Sequence, residues 1–97
     1  MFTNHFDIFN KAINDFDGPA HERESILWHE NDMYDFAKAY LDGIDDMSSH
    51  EVDLTLRYMR YDIEAIQAYL ETDLDTNCVK FEMLDVLSAT RKALEAC

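Results

Sequence analysis

Glycine and proline are scarce in this 97-residue chain, with two of the first and one of the second. Sandwiches and barrels need many more turn residues, so the shortage argues against an all-β fold. With only Gly18 and Gly43, no glycine-rich loop can be built around a phosphate. A dinucleotide fingerprint and a Gly-x-Ser-x-Gly elbow are also missing. Cysteine is equally sparse. Cys78 and Cys97 stand nineteen residues apart, so no disulfide framework is expected, and two thiols fit a reducing cytoplasm. No apolar run approaches the length of a membrane-spanning helix. The opening Met1-Phe2-Thr3-Asn4-His5-Phe6-Asp7 lacks the cationic start of a signal peptide. Cys97 is the last residue, whereas a prenylated cysteine lies four from the end.

Positive charge is the other shortage. Eight Lys and Arg face 21 Asp and Glu, for a formal net charge of -13 and a pI near 4.3. Direct contact with nucleic acid or an anionic membrane is therefore not expected. The chain is nonetheless not of the disordered type, because 47% of its residues are apolar and 12% aromatic. Its length fits one domain, residues 1–97.

Large apolar residues recur at spacings of four and three throughout, the mark of amphipathic helices. Phe2, Phe6, Phe9, Ile13 and Phe16 form one stripe on a helix over about 3–16, with Thr3 or Asn4 as cap. Asp17-Gly18-Pro19 ends it, proline suiting the first position of the next helix. A second helical region spans 19–42. There Leu27, Tyr34 and Leu41 repeat at seven, and Ile26, Met33, Ala37, Tyr40 and Ile44 line the adjacent strip. Glu30 falls inside that strip and Trp28 outside it, so a break or distortion is expected near 29–31. Ser48 and Glu51 make a capping box for a third helix over 49–71, whose core stripe is Val52, Leu56, Met59, Ile63, Ile66 and Leu70. Asp53-Arg57 and Arg60-Glu64 are four-apart ion pairs on it. A fourth helix over 77–95 presents Val79, Met83, Val86, Leu87, Thr90, Ala93 and Leu94 on one face. These elements predict an all-α, compact antiparallel bundle of about four helices.

The third helix carries a second stripe, Leu54, Tyr58, Tyr61, Ala65 and Ala68, nearly opposite the first. Such a helix is either the centre of the bundle or has one face on another molecule. Tyr58 and Tyr61 suit an interface because tyrosine is large, has few rotors and ends in a polar tip.

Chemistry-bearing motifs are thin. His5, His21, His29 and His50 fit no zinc or di-iron spacing, and they read as surface or interface histidines. Glu71 to Glu82 places acids at positions 1, 3, 5 and 12 of a calcium-loop layout, but Glu71, Thr76 and Cys78 depart from it at positions 1, 6 and 8. A capped interhelix loop with solvated acids is the simpler reading. No metal, cofactor or catalytic residue is expected, and the chain does not read as an enzyme.

What remains is where the charge lies. Between Glu30 and Asp53 there are eight acids, Glu30, Asp32, Asp35, Asp42, Asp45, Asp46, Glu51 and Asp53, against one cation, Lys38. That window holds more than half of the net charge in 24 residues around one helix–helix connection. A concentrated acidic face steers a cationic partner. The expected function is to bind and inhibit a basic, nucleic-acid-handling protein in the manner of a DNA mimic, of the anti-restriction, anti-CRISPR or nucleoid-antagonist type. An immunity protein or antitoxin for a nuclease toxin is the alternative, and an acidic homodimeric scaffold a further one. The eight acids are the expected contacts, with Trp28, Tyr58 and Tyr61 as anchors for the partner or a second copy.

Overall fold

The computed structural model describes residues 4–71 and 76–96. Helix α1 (His5–Asn14) starts at Asn4, whose side chain accepts the Asp7 N–H at 2.9 Å. That bond satisfies one of the donors a helix N-terminus leaves open, so of the two candidate caps it is Asn4 that serves. The Phe16 ring then folds over Gly18, where an added Cβ would stand 2.4 Å from it. The Phe16 carbonyl accepts from Arg23 at 2.7 Å, tying the turn to the next helix.

Helix α2 (Ala20–Gly43) is continuous for 24 residues, which corrects the expected break near 29–31. Glu30 does not force a break because it sits half-buried at the edge of the core, where burial raises its pKa and so eases protonation. Pro19 occupies the N-cap position instead of the first turn, its carbonyl receiving the Glu22 and Arg23 N–H groups. Of the two apolar strips on α2, the Ile26, Met33 and Ala37 strip is buried, whereas Leu27 is 39% exposed.

A short 3-10 turn (Ile44–Asp46) leads to α3 (Ser49–Leu70), capped by Ser48, whose hydroxyl accepts the Glu51 N–H at 3.2 Å. Glu71 ends α3 in the left-handed region at φ 56°. Helix α4 (Thr76–Glu95) completes the order. The predicted ion pairs are present, Arg57–Asp53 at 3.0 Å and Arg60–Glu64 at 3.1 Å. Both are exposed and hold little stability.

Helices α2 and α3 form the principal pair; α4 packs on both, and α1 docks on α4. The radius of gyration, 13.5 Å, is that of a compact chain of this length. All four helices feed the core: Phe9 and Ile13 from α1, Ile26, Met33 and Ala37 from α2, Met59, Ile63 and Ile66 from α3, Val79 and Val86 from α4. The result is an all-α bundle. No helix among the described residues is long and apolar enough to cross a membrane.

Candidate functional site

The second stripe of α3 is only partly covered by the other described helices. Tyr58 is 51% exposed, Tyr61 63% and Leu54 36%. Trp28 of α2 is 62% exposed beside them. The two helices thus border a groove of about 510 Å³ lined by Trp28, Asp32, Phe36, Leu54, Arg57, Tyr58, Tyr61 and Asp62. Its walls are ring contacts. Phe36 and Tyr58 stack at 5.0 Å with planes 9° apart. Trp28 and Tyr61 each set an edge against His29, at 5.0 and 5.8 Å.

Behind the rings lies a polar pair. Asp62 is 1% exposed, and its Oδ1 stands 2.8 Å from Nδ1 of His29, which donates in the Nδ1–H tautomer. The other oxygen, Oδ2, is buried with no hydrogen-bond partner. Burial pushes the Asp62 carboxyl up to about 6; side-chain hydrogen bonding with the Asp32 carboxyl, and the charge of Asp32, add to the rise, and the hydrogen bond and charge of His29 oppose it.

The eight acids named from the sequence do not form one face. Asp42, Asp45, Asp46 and Glu51 are exposed together around the α2–α3 connection. Asp35 is exposed on the outer side of α2, and Asp32 turns into the groove. On a helical projection Trp28, Asp32, Asp35 and Asp42 share an arc of about 80°. Glu30 lies about 160° from Asp32 on the same helix, on the flank that faces Tyr34, so it does not join them. Asp53 is engaged by Arg57. Burial, together with Glu30 and Glu82, raises the Tyr34 phenol.

Glu82 is the other internal acid. It is fully buried in α4, and neither carboxylate oxygen has a hydrogen-bond partner. Its nearest opposite group is His5, with Nδ1 at 3.8 Å from Oε1. Burial first, and the Asp85 carboxylate second, push Glu82 up to about 8. Glu82, the last acid of the calcium-loop layout, is turned into the core. Asp73 and Asp75 of that layout lie outside the described residues.

Three cations, Arg57, Arg60 and Lys80, meet around a second groove of about 310 Å³ between α3 and α4. Asp53 and Glu64 pair the two arginines, so little net positive charge is presented there. Asp62, His29 and Phe36 were not singled out from the sequence as site residues. The signal for Asp62 was its setting: the positions three and four away are Tyr58, Met59, Ala65 and Ile66, with no cation to keep it at the surface.

The chain matches no family model, no curated protein and no solved structure, so what it does is read from this site alone.

Proposed function

We propose that the protein is a binding protein, not an enzyme, that docks on and inhibits a basic, nucleic-acid-handling protein, its carboxylates taking the place of phosphates. The observation that supports this is the exposure of Asp42, Asp45, Asp46 and Glu51 at one end of the α2–α3 pair, with Asp35 and Asp32 leading from there towards the aromatic groove. A DNA-binding surface evolved to meet about one negative charge per 1.7 Å of duplex axis. Closely spaced carboxylates at one end of the helix pair offer it a comparable field. Exposed Trp28, Tyr58 and Tyr61 add the apolar contact that holds a complex once charge has steered it together. The partner class includes restriction enzymes, CRISPR effectors and nucleoid proteins in the cytoplasm. A nuclease toxin, for which this chain would be the immunity protein, presents the same chemistry. Self-assembly through the groove is disfavoured because it would bring together two chains of -13 each.

The test is capture of the partner at about 50 mM salt and its release at about 0.5 M, where surface charges are screened beyond about 4–5 Å. DNA should compete for the captured partner. Reversing Asp42, Asp45 and Asp46 to Lys should abolish capture while the helical circular dichroism stays unchanged. Binding indifferent to salt, or intact in the triple variant, would overturn the reading. A dimer of the free protein that Tyr58→Asp converts to monomer would favour the scaffold instead.

A further inference from the structure

The groove holds two carboxylates with unequal access. Asp32 is the outer one, half-buried at its wall. Asp62 is the inner one, nearly fully buried, with Oδ1 taken by His29 and Oδ2 without a resident donor; the Asp32 carboxyl lies within hydrogen-bonding reach of Asp62, so the two acids form a close pair. A buried acceptor without a donor is costly, and a bundle free to repack would replace it with an apolar residue. The resident cation does not meet the need. Arg57 lines the groove, but its side chain is 74% exposed and its Nε is bound to Asp53 at 3.0 Å. The walls are aromatic, and two of them, Trp28 and Tyr61, are more than half exposed and anchored in the chain by edge contacts to His29. Aromatic rings lining one groove with two carboxylates suit a cation with a flat, apolar-tolerant surface.

We propose that the α2–α3 groove receives an arginine side chain of the basic partner, its guanidinium lying against Trp28 and Tyr61 and donating to Asp32 and to the unpartnered Oδ2 of Asp62. This rests on the docking role proposed above and names the group that the partner inserts. The guanidinium is planar and forked, so it can donate to two carboxylates while stacking on a ring; the lysine ammonium is a compact, strongly hydrated point charge and does neither well. At about 510 Å³ the groove has room for the side chain. The incoming charge would also relieve the repulsion between Asp62 and Asp32, which His29 offsets only in part. A neutral partner would desolvate Asp32 and leave Oδ2 of Asp62 without a donor, so the groove discriminates by charge as well as by shape.

Trp28 is the only tryptophan in the chain, so its fluorescence reports on the groove directly. The experiment titrates the intact protein at low salt with blocked tri-arginine and tri-lysine peptides of equal charge. The arginine peptide should bind about tenfold tighter or better and perturb Trp28. Asp62→Asn and Asp32→Asn should each reduce that preference to about twofold or less. If Asp62→Asn unfolds by circular dichroism, Asp32→Asn decides the matter, since Asp32 sits at the groove wall. Charge reversal at Asp42, Asp45 and Asp46 should weaken both peptides alike and keep the ratio. Equal binding of the two peptides, or an arginine preference that survives in Asp32→Asn, would overturn the pocket and leave electrostatic docking standing. Failure of both peptides to bind at low salt would overturn the pocket and count against docking as well.

Discussion

Replacing Glu82 by Gln should stabilise the protein, and by an amount that depends on pH in a defined way. Glu82 is fully buried, its oxygens have no hydrogen-bond donors, and its pKa is pushed up to about 8 from an ordinary 4.5. Below pH 4.5 the carboxyl is neutral in both the folded and the unfolded chain, so it costs nothing through ionisation. Between pH 4.5 and 8 the unfolded chain releases the proton and the folded chain keeps it. The folded state then binds more protons, and stability falls as pH rises, by about 1.4 kcal/mol per pH unit for one such group. Above pH 8 the folded state ionises too, and the loss levels off. At pH 7 the penalty amounts to about 3 kcal/mol, a large share of a domain's net stability of roughly 5–15 kcal/mol. Glutamine keeps the shape and cannot ionise, so Glu82→Gln removes the slope while adding a fixed offset from its amide. Urea unfolding should be followed by circular dichroism, because Trp28 is already 62% exposed and changes its surroundings little on unfolding. Measured from pH 5.5 upward, clear of the pI near 4.3, the gap between variant and parent should widen steadily to pH 8 and then hold. Asp62 also carries a raised pKa, but it is present in both proteins and cancels. A gap that stays constant from pH 5.5 to 8.5 would show that Glu82 titrates normally, and the account of a buried acid without hydrogen-bond donors would be wrong.

Two further outcomes test the frame around the site. Glu71 holds a left-handed backbone at φ 56°, which costs a residue with a Cβ about 1 kcal/mol, so Glu71→Gly should stabilise the fold by a net of about 0.5 kcal/mol or more and raise the thermal midpoint accordingly; a lowered midpoint would mean the cap is unstrained. Ile63 is fully buried while Leu54 is 36% exposed, so Ile63→Ala should cost about 2–5 kcal/mol in urea unfolding and Leu54→Ala less than about 1, and equal losses would show that the second stripe of α3 is core after all.

Most of the fold was legible because its signals are local. Cap residues, four-apart ion pairs and the heptad stripe of α3 each involve positions within a turn or two, and Ser48, Asn4, Arg57 and Met59 sit where their spacing places them. Helix α2 was harder because it carries two apolar strips, and only packing against α3 and α4 decides between Leu27 and Ile26. The expected break came from treating Glu30 as permanently charged. A half-buried carboxyl at the edge of the core keeps contact with water, burial raises its pKa, and the helix runs on. The acidic window was visible as a stretch of sequence but not as a face. Successive residues of a helix turn by about 100°, so Glu30 and Asp32 land on opposite flanks of α2 although they are two apart. The groove was out of reach because it joins Trp28 to Tyr61 across two helices, and one-helix periodicity says nothing about the distance between them.

The two internal acids distinguish what the fold needs from what the site needs. Both Asp62 and Glu82 lie among apolar neighbours, both are pushed towards neutrality, and both leave carboxylate oxygens unpartnered. In a chain with 21 acids, burying either one weakens the fold, and neither is required to complete the core. Their surroundings differ. Glu82 lines neither groove, so its cost is not offset by any contact offered to the outside. Asp62 is oriented by His29 and lies in the lining of an aromatic-walled space beside a second carboxylate. An acid that is desolvated, fixed in direction and left with one acceptor open is preorganised for a cationic donor, and the stability it costs in the free protein is recovered when that donor arrives. Neutralising Glu82 should therefore strengthen the fold and leave arginine binding intact, whereas neutralising Asp62 should relieve its ionisation penalty and abolish the arginine preference. That divergence between two chemically similar substitutions separates a buried acid kept for binding from one that is only buried.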